Sequence, residues 1–407
     1  MTFVPDLLSY ACTQAPDHTA VIAGDRSITF SELDSRASRL VRLFREFSLE
    51  PGDVIALLAK SEAEYFEVHI AAIRAGLVLL PLNFRLALPE LEYIVNDSRP
   101  KLLFCGEEFT ETAAALEVDK QVSLGADYDA LIESAKPVED EHWLISADAP
   151  WVILYTSGTT GRPKGTIISN RALFARIHCN LYEYQLTAED RFLMCLQLFH
   201  IGSINCLSHL YIGSTIVIIK DFAPVHVLEL LPRHRISVAL LVPTMINSIV
   251  NLPEVGKADF SSLRLMVYGG SPIPPVTLSR AVEVMGCGFL QTYGMTENNA
   301  ITFLRPRDHD PVNKPHRLAS AGTTGLGLEA RVVDEQDRDV GAWERGEIVC
   351  RGTCMMDQYL NLTESTEEAM RVGWMHTGDV GYFDEVGYLY VTDRKKDMIV
   401  SCGENVY

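Results

Sequence analysis

Residues 151–183 read WVILYTSGTTGRPKGTIISNRALFARIHCNLYE and combine an apolar segment, a glycine-rich loop and a helical pattern. The apolar segment 151–155 predicts a buried strand, and the spacing of apolar residues over 169–183 predicts a helix. A strand, a loop and a helix in this order are typical of α/β proteins, in which strands alternate with helices. This stretch therefore sets the expected fold class.

The loop, residues 155–165, has the chemistry of a phosphate-binding loop. Its glycines let the backbone approach an anion closely and present N–H groups to it. Its hydroxyls and Lys164 can donate charge-assisted hydrogen bonds to phosphate oxygens. It is not the G-x4-G-K-[ST] nucleotide loop, because Pro163 stands where that pattern requires glycine. The alternative is an ordinary surface turn of similar composition.

The same alternation of strands and helices extends over much of the chain. It predicts an α/β architecture with largely parallel sheets. Predicted strands lie at 27–30, 53–59, 101–105, 151–155, 215–220, 238–242, 263–268 and 289–290. Predicted helices lie at 31–47, 61–75, 88–96, 169–183, 224–233 and 275–285.

Two regions depart from this alternation. After about residue 318, short apolar segments at 329–333, 346–351 and 388–392 are separated by Gly, Asp and Pro, which indicates a small β-rich subdomain. Residues 106–150 have the weakest pattern, and we expect a variable loop there.

The composition excludes several classes of protein. The chain has 407 residues, 47% of them hydrophobic, and a net charge of −19, which argues against nucleic-acid partners because binding a phosphate backbone needs a basic surface. The 9 cysteines form no CxxC pair, as expected for reduced thiols in a cytosolic protein. The sequence starts without a signal-peptide pattern and has no apolar run of about 20 residues. We therefore expect a soluble, cytoplasmic protein without a membrane span.

The loop at 155–165 resembles the phosphate-loop signature of the adenylate-forming superfamily, which includes acyl-CoA synthetases, peptide-synthetase adenylation domains and luciferases. The resemblance runs from SITFSELD, residues 27–34, to the last residue. It implies a large N-terminal domain with two αβ-layered sheets and a small distorted β-barrel subdomain. The remaining superfamily signatures follow in the expected order, at 199–202, 268–272, 292–297, 373–379 and 393–397.

The resemblance also implies the domain organisation. The N-terminal core would span 1–393, with αβ sheets to about 317 and the β-rich subdomain at about 318–393. Residues 394–397 would form a hinge centred on Lys396, and 398–407 would begin a C-terminal domain that is essentially missing. Since that domain has roughly a hundred residues in the family, we expect a truncated chain that binds ATP and acid but adenylates poorly.

By the same resemblance, Tyr293 stacks on adenine and Thr296 hydrogen-bonds the α-phosphate. Glu297 holds Mg²⁺, a hard cation that prefers carboxylate and phosphate oxygens. Asp379 accepts hydrogen bonds from the ribose hydroxyls, and Arg394 contacts the ribose or a phosphate. The implied nucleotide contacts are Thr156, Ser157, Gly158, Thr159, Thr160, Gly161, Lys164, Gly270, Ser271, Pro272, Thr292, Tyr293, Gly294, Met295, Thr296, Asp379 and Arg394.

The segment Phe199-His200-Ile201-Gly202 resembles the mouth of the family's acid-binding tunnel. It departs from the family pattern at Gln197, where a proline is usual. The implied acid contacts are His200, Ser203, Ile204, Met245, Tyr268, Gly269 and Gly270.

The implied reaction is ATP-dependent activation of a carboxylic acid to acyl-AMP, with release of pyrophosphate and acyl transfer to coenzyme A. Such a protein has to hold two anions together and spread the developing charge. An amide ligase, a luciferase-like oxygenase and a non-catalytic nucleotide- or acyl-binding module stay open as alternatives. The implied catalytic residues are Thr156, Lys164, His200, Thr296 and Glu297.

The identity of the acid is less constrained. Residues 201–214 contain no acidic side chain, which argues against an α-amino acid because adenylation domains usually pair its amino group with an Asp there. The PLNFR segment, 81–85, looks more like the carnitine and medium-chain branches of the acyl-CoA synthetases. A fatty chain and a polar or cyclic acid both stay open, and a homodimer is the default oligomer.

Overall fold

The computed structural model of the chain describes residues 2–138, 143–156, 162–394, 399–401 and 404–406. The helices are α1 (Ser9–Gln14), α2 (Phe30–Glu46), α3 (Glu64–Ala75), α4 (Leu88–Ser98), α5 (Thr110–Ala115), α6 (Ala126–Ser134), α7 (Asn170–Tyr184), α8 (Ser203–Ile212), α9 (Pro224–Arg233), α10 (Pro243–Val250), α11 (Pro275–Met285) and α12 (Thr363–Ala369). The strands are β1 (Phe3–Val4), β2 (Thr19–Ala23), β3 (Arg26–Thr29), β4 (Val54–Leu58), β5 (Val78–Pro81), β6 (Leu102–Cys105), β7 (Lys120–Ser123), β8 (Ile145–Ser146), β9 (Pro150–Thr156), β10 (Lys164–Ser169), β11 (Arg191–Met194), β12 (Thr215–Ile218), β13 (Val238–Leu241), β14 (Leu265–Gly269), β15 (Gly288–Met295), β16 (Asn299–Leu304), β17 (Thr323–Thr324), β18 (Leu328–Val333), β19 (Gly346–Gly352), β20 (Gln358–Tyr359), β21 (Met375–Phe383), β22 (Leu389–Arg394), β23 (Ile399–Ser401) and β24 (Glu404–Val406).

A nine-stranded sheet has the order β17-β16-β15-β14-β13-β11-β12-β2-β3. Its middle, from β15 to β2, is parallel, and antiparallel pairs close both edges. Strands β12 and β13 are buried along their whole length, as expected for parallel strands covered on both faces. The carboxyl ends of β14 and β15 therefore lie side by side, at the kind of sheet edge where α/β proteins bind ligands.

A seven-stranded sheet has the order β20-β10-β9-β5-β4-β6-β7. Strands β9, β5, β4, β6 and β7 run parallel, whereas β10 is antiparallel to both of its neighbours. The glycine-rich loop therefore joins two adjacent antiparallel strands, with Lys164 opposite Thr156. We call β9, β10 and their connection the phosphate hairpin.

The phosphate hairpin corrects one sequence interpretation. Residues 155–165 were expected to form a loop between a strand and the helix at 169–183, but residues 164–169 form strand β10, which is followed directly by helix α7. The last five residues of β10 are buried, so this segment is part of the sheet core. Its first two residues, Lys164 and Gly165, belong to the glycine-rich motif, so the pattern contained no signal for the start of a strand there.

A third, four-stranded antiparallel sheet has the order β18-β19-β21-β22 and forms a half-barrel. Its strands lie within the range from which we predict a β-rich subdomain. Together with the two αβ sheets, it confirms the predicted fold class. The domain boundaries at 393 and 397 stay predictions.

Helix α2 shows how local sequence specifies these elements. Thr29 caps its N-terminus, because its hydroxyl accepts from the Glu32 N–H while the Glu32 carboxylate accepts from the Thr29 N–H. Leu33, Leu40 and Phe44 lie on one face and are buried in the main core. Burying each such side chain stabilises the fold by roughly 1.5–3 kcal/mol relative to exposure.

In the region expected to hold a variable loop, 106–150, the described residues include the short elements α5, β7, α6 and β8, and residues 139–142 lie outside the described part of the chain. Each of these elements has nine residues or fewer, and β7 is a sheet edge with two exposed residues. Short, half-exposed elements give little periodic signal. None of the helices in the described part of the chain is long and apolar enough to cross a membrane.

Candidate active site

The turn between β15 and β16 carries the Thr296-Glu297 pair. Met295 lies opposite Asn299, so residues 296–298 form a tight turn at the edge of the nine-stranded sheet. The Met295 N–H donates to Asn298 Oδ1 at 2.8 Å and fixes this turn. Gly294 is required beside it, because a Cβ atom there would lie 1.5 Å from the Asn299 carbonyl oxygen.

Residues 354–360, which we call the bridging segment, connect this turn to the phosphate hairpin. The Met356 N–H donates to the Glu297 carbonyl at 2.6 Å, and the Leu360 N–H donates to the Gly165 carbonyl at 2.7 Å. Tyr359 lies opposite Thr166 in the sheet. The bridging segment therefore holds the two αβ sheets together at the predicted site.

Tyr359 brings the two most important predicted residues, Lys164 and Glu297, into one cluster. Its hydroxyl donates to Glu297 Oε1 at 2.9 Å. Lys164 Nζ lies 5.0 Å from the centroid of the Tyr359 ring, within cation–π distance. The ammonium group also donates to Ser365 Oγ at 3.4 Å. A cation and a carboxylate thus contact the same phenol.

Glu297 is 4% exposed, so its protonation depends on its neighbours. Burial raises the pKa of the Glu297 carboxyl, while the hydrogen bond from Tyr359 and the positive charges of Arg176 and Lys164 act in the opposite direction. Burial lowers the pKa of the Arg176 guanidinium to about 10. Because this pKa is still well above 7, Arg176 stays charged at neutral pH.

Tyr293 and Asp379 form a second pair. The Tyr293 hydroxyl donates to Asp379 Oδ2 at 2.7 Å. Burial, and then the adjacent Asp379 charge, raises the pKa of Tyr293 well above its ordinary value, so the phenol stays a donor. Asp379 lies opposite Arg394 in strands β21 and β22. The pair therefore joins the end of β15 to the half-barrel.

The glycine turn after β14 lies beside the end of β15. Gly269 is opposite Thr292, and a Cβ atom at Gly269 would lie 2.5 Å from both oxygens of Thr292. Gly270 has a φ of +81°, a conformation that favours glycine. Thr292 donates to the Tyr268 carbonyl at 3.4 Å. Ser271 and Pro272 follow in the same turn, so the predicted adenine-binding segments are neighbours.

The residues predicted to contact the acid are spread over several elements of the fold. His200 follows β11 and lies against Phe199, with ring centroids 4.3 Å apart. Ser203 and Ile204 begin helix α8 and are buried. Met245, in α10, is half-buried against a second core cluster, which consists mainly of the apolar residues that strands β11–β15 and helices α9–α11 bury together.

Tyr268, another predicted acid contact, has a fully buried side chain. Its hydroxyl lies 2.9 Å from His309 Nε2, within the second core cluster rather than at the sheet edge. Burial raises the pKa of this phenol. Its backbone, at the end of β14, is the part that lies beside the glycine turn.

Gln197, the departure from the family pattern, has a structural role in the segment before His200. Its amide donates to the Lys220 carbonyl at 2.7 Å and accepts from the Ser61 hydroxyl at 3.3 Å. These bonds tie the segment to the end of β12 and to residue 61, so Gln197 fixes the local backbone.

Some predicted site residues fall outside the described part of the chain. They are Ser157, Gly158, Thr159, Thr160, Gly161 and the hinge residue Lys396. Arg394 is described by its backbone alone. Thr156 is placed at the end of β9, and its predicted role, like those of the other site residues, stays a prediction.

Sequence reasoning missed Arg176, Tyr359 and Ser365. The sequence contains one signal for Arg176, because this cation occupies a position on the apolar face of the helix predicted at 169–183. Tyr359 and Ser365 had none, since they reach the site through contacts between residues distant in sequence.

The donor set fits a magnesium ion that arrives with a nucleotide. Within the described residues, no group of three or more His, Cys, Asp or Glu side chains could hold a metal ion by itself. Glu297 offers one buried carboxylate. This is sufficient because Mg²⁺ in such sites keeps several waters and binds one or two carboxylates together with substrate phosphates.

The fold and these paired sites define an adenylate-forming enzyme. The AMP-binding enzyme family matches residues 8–360, and the chain belongs to that family. It is 34% identical to a fatty acid–[acyl-carrier-protein] ligase, ScoC, of Streptomyces coeruleorubidus, covering 98% of this chain and 78% of the relative. It is 35% identical to a feruloyl-CoA synthase of an Amycolatopsis species, covering 97% and 79%.

Solved structures agree with this assignment. The o-succinylbenzoate CoA synthetase MenE of Bacillus subtilis, in complex with the acyl-adenylate intermediate OSB-AMP, superposes with a TM-score of 0.89 at 30% identity, covering 100% of this chain and 81% of that one. The amide bond synthetase McbA of Marinactinospora thermotolerans superposes with a TM-score of 0.91 at 28% identity, covering 99% of this chain and 82% of that one. The predicted superfamily and enzyme class, an ATP-dependent, AMP-forming acid–thiol ligase that makes an acyl-adenylate, are confirmed.

Proposed function

We propose that this enzyme activates an acid at the cluster of Lys164, Tyr359 and Glu297 and transfers the acyl group to the thiol of coenzyme A. The observation that carries the proposal is Tyr359, which contacts the Lys164 ammonium at 5.0 Å and donates to the Glu297 carboxylate at 2.9 Å. Lys164, a cation that could bind phosphate, and Glu297, a carboxylate that could bind a divalent cation, thus contact the same tyrosine side chain.

In the first step, a carboxylate oxygen of the acid attacks the α-phosphorus of ATP. The new P–O bond forms as the bond to the β-phosphate oxygen breaks, and pyrophosphate leaves. Lys164, with Thr156 and Thr296, would bind the phosphate oxygens and spread the developing negative charge. Glu297 is the residue that would hold Mg²⁺, which neutralises phosphate charge when bound.

In the second step, the thiol sulfur attacks the carbonyl carbon of the acyl-adenylate. A thioester bond forms, the mixed anhydride bond to AMP breaks, and the thiol proton passes to solvent or to a base. Lys396 is proposed as the hinge residue about which the acceptor side of the site is assembled.

Adenosine would bind at the other end of the site. Tyr293 would stack on the base, and Asp379 would accept from the ribose hydroxyls, assisted by Arg394. In support, Tyr293 and Asp379 already share a hydrogen bond of 2.7 Å, and the glycine turn with Gly270 borders β15.

The acid would lie near His200, Ser203, Ile204 and Met245. Residues 201–214 carry no carboxylate that could pair with an amino group, so we propose an acid without an α-ammonium group. Feruloyl and fatty acyl chains are the acyl groups named for the relatives. A cytoplasmic homodimer is the proposed working form.

The experiment that tests this function is an acid panel with ATP and Mg²⁺, followed by mass detection of acyl-AMP and of products with coenzyme A or amines. We expect pyrophosphate release that depends on the acid, and a thioester with coenzyme A. Because the amide bond synthetase is as similar in fold, an amide product in place of the thioester would establish the alternative acceptor. Release of pyrophosphate without any acid would refute the proposal.

A further inference from the structure

Arg176 is a fully buried cation directly behind the Thr296-Glu297 turn. It lies on helix α7 and is 0% exposed, among the largest fully buried side chains of the described chain. Burying a guanidinium group costs several kcal/mol unless good hydrogen bonds compensate. Helix α7 could fill this space with an apolar side chain, so the arginine needs an explanation.

The hydrogen bonds of Arg176 explain why an arginine is buried there. Arg176 Nε donates to the Cys354 carbonyl at 2.8 Å, and Nη2 donates to the carbonyls of Thr296 and Glu297 at 3.2 and 3.3 Å. Within the described residues, these hydrogen bonds go to backbone oxygens and none goes to a carboxylate. One side chain therefore ties the catalytic turn to the start of the bridging segment.

This arrangement differs from that of another arginine bonded to the same helix. Arg305 donates to both carboxylate oxygens of Glu183 in α7, at 2.9 and 2.7 Å, and to the Thr323 hydroxyl. That is a charge pair that stabilises the fold. Arg176 instead donates to three backbone carbonyls, and two of these belong to the turn.

The position of the turn relative to Lys164 depends on these bonds. The bridging segment bonds to Glu297 through Met356 and to Gly165 through Leu360. Arg176 completes this frame from the helix side. Without it, the turn would keep its contacts with the bridging segment but lose its connection to α7.

We propose that Arg176 is a positioning residue that holds Thr296 and Glu297 at the correct distance from Lys164 for the triphosphate and its magnesium ion. The proposal rests on the roles proposed above for Thr296, Glu297 and Lys164. It assigns no chemical step to Arg176 itself.

The test compares Arg176→Met and Arg176→Lys with the unaltered chain. Calorimetry would measure the dissociation constants of ATP with and without Mg²⁺ and of a non-hydrolysable acyl-adenylate mimic, and a melt would measure folding. Arg305→Met is the control, since it removes a half-buried arginine that is bonded to α7 and has no proposed role in the site.

We expect Arg176→Met to weaken binding of ATP with Mg²⁺ by about tenfold or more, because hydrogen bonds from a charged group are lost. Binding of ATP without Mg²⁺ should weaken less, and Arg176→Lys should recover part of the loss. Arg305→Met should lower the melting temperature but leave ATP affinity within about twofold. Equal loss of affinity with and without Mg²⁺, or the same loss in Arg305→Met, would overturn the proposal.

If neither Arg176 variant folds, hydrogen exchange of the Arg176 side chain in the unaltered chain decides. The Arg176 Nε–H, which donates to the Cys354 carbonyl, should exchange more slowly when ATP and Mg²⁺ bind, because the turn that the same guanidinium contacts is then held more firmly. Unchanged exchange there would overturn the proposal. Failure of the unaltered chain to bind ATP or any adenylate mimic would instead remove the proposed function itself.

Discussion

The two ends of the proposed site are built in different ways. The end proposed for the phosphates, which we call the phosphate end, brings Lys164, Tyr359 and Glu297 together from three separate segments. The end proposed for adenosine, the adenosine end, is centred on Tyr293 and on the glycine turn of the adjacent strand. The first depends on charges held by long-range contacts, and the second mainly on strand register. Substitutions should therefore affect the two ends differently.

The largest effect should follow Glu297→Gln. The change removes the one buried carboxylate of the phosphate end, and the rate of acid-dependent pyrophosphate release should fall by about 10²- to 10³-fold, as for loss of other groups that stabilise transition-state charge. Steady-state kinetics at varied Mg²⁺ would measure it. Glu283→Gln, an exposed change on α11, is the control, and an equal loss in both variants would exclude a special role for Glu297.

The next effect should follow Tyr359→Phe, which keeps the ring near Lys164 but removes the hydroxyl bonded to Glu297. We expect a fall of about tenfold to a hundredfold in the rate, because a hydrogen bond to a charged group contributes roughly 1.5–3 kcal/mol. Tyr182→Phe, on the exposed face of α7, is the matched control. An unchanged rate in Tyr359→Phe would show that the bond does not support the site.

Tyr359→Phe should also change the pH dependence. Burial raises the pKa of Glu297, and the Tyr359 hydrogen bond lowers it by favouring the carboxylate. Losing the bond should raise that pKa further, so the acid limb of the pH–rate profile should move to higher pH. A limb that stays in place or moves to lower pH would contradict this sign.

These predictions bear on what sequence could and could not supply. The strands and helices of the αβ sheets, such as α2 and β13, were predictable because their apolar periodicity is local. Lys164 and Glu297 were proposed as site residues from motifs, and their roles stay predictions. Tyr359 and Arg176 were not, because their importance comes from contacts with residues more than 60 and more than 100 positions away. Strand β10 was missed because its first residues, Lys164 and Gly165, belong to the glycine-rich motif that was interpreted as a loop.

A smaller effect should follow Tyr293→Phe at the adenosine end. The change keeps the ring but removes the bond to Asp379, so the affinity for AMP should weaken by about threefold to tenfold. The affinity for pyrophosphate should stay constant, because the phosphate end is unaltered. Calorimetric titrations with each ligand measure this, and an equal loss for both ligands would contradict the division into two ends.

The smallest effect on ligands should follow Tyr268→Phe. The Tyr268 hydroxyl lies 2.9 Å from His309 in the core, so its loss should lower stability by about 1 kcal/mol in a denaturant titration. The affinities for AMP and the acid should stay within about twofold. A large loss of acid affinity would show that this side chain reaches the substrate, as the family resemblance first implied.

The most direct test of the proposed site is a melt of the chain with Mg²⁺ and non-hydrolysable acyl-adenylate mimics that differ only in the acyl group. A mimic at about 100 times its dissociation constant should stabilise the fold by roughly 2.7 kcal/mol, which raises the melting temperature visibly. We expect such a shift with one acyl class of mimic. ATP with Mg²⁺ should also raise the melting temperature of the unaltered chain, and this second shift should be lost in Glu297→Gln. If neither the mimics nor ATP raise the melting temperature, the result contradicts an adenylate site at Lys164, Tyr359 and Glu297.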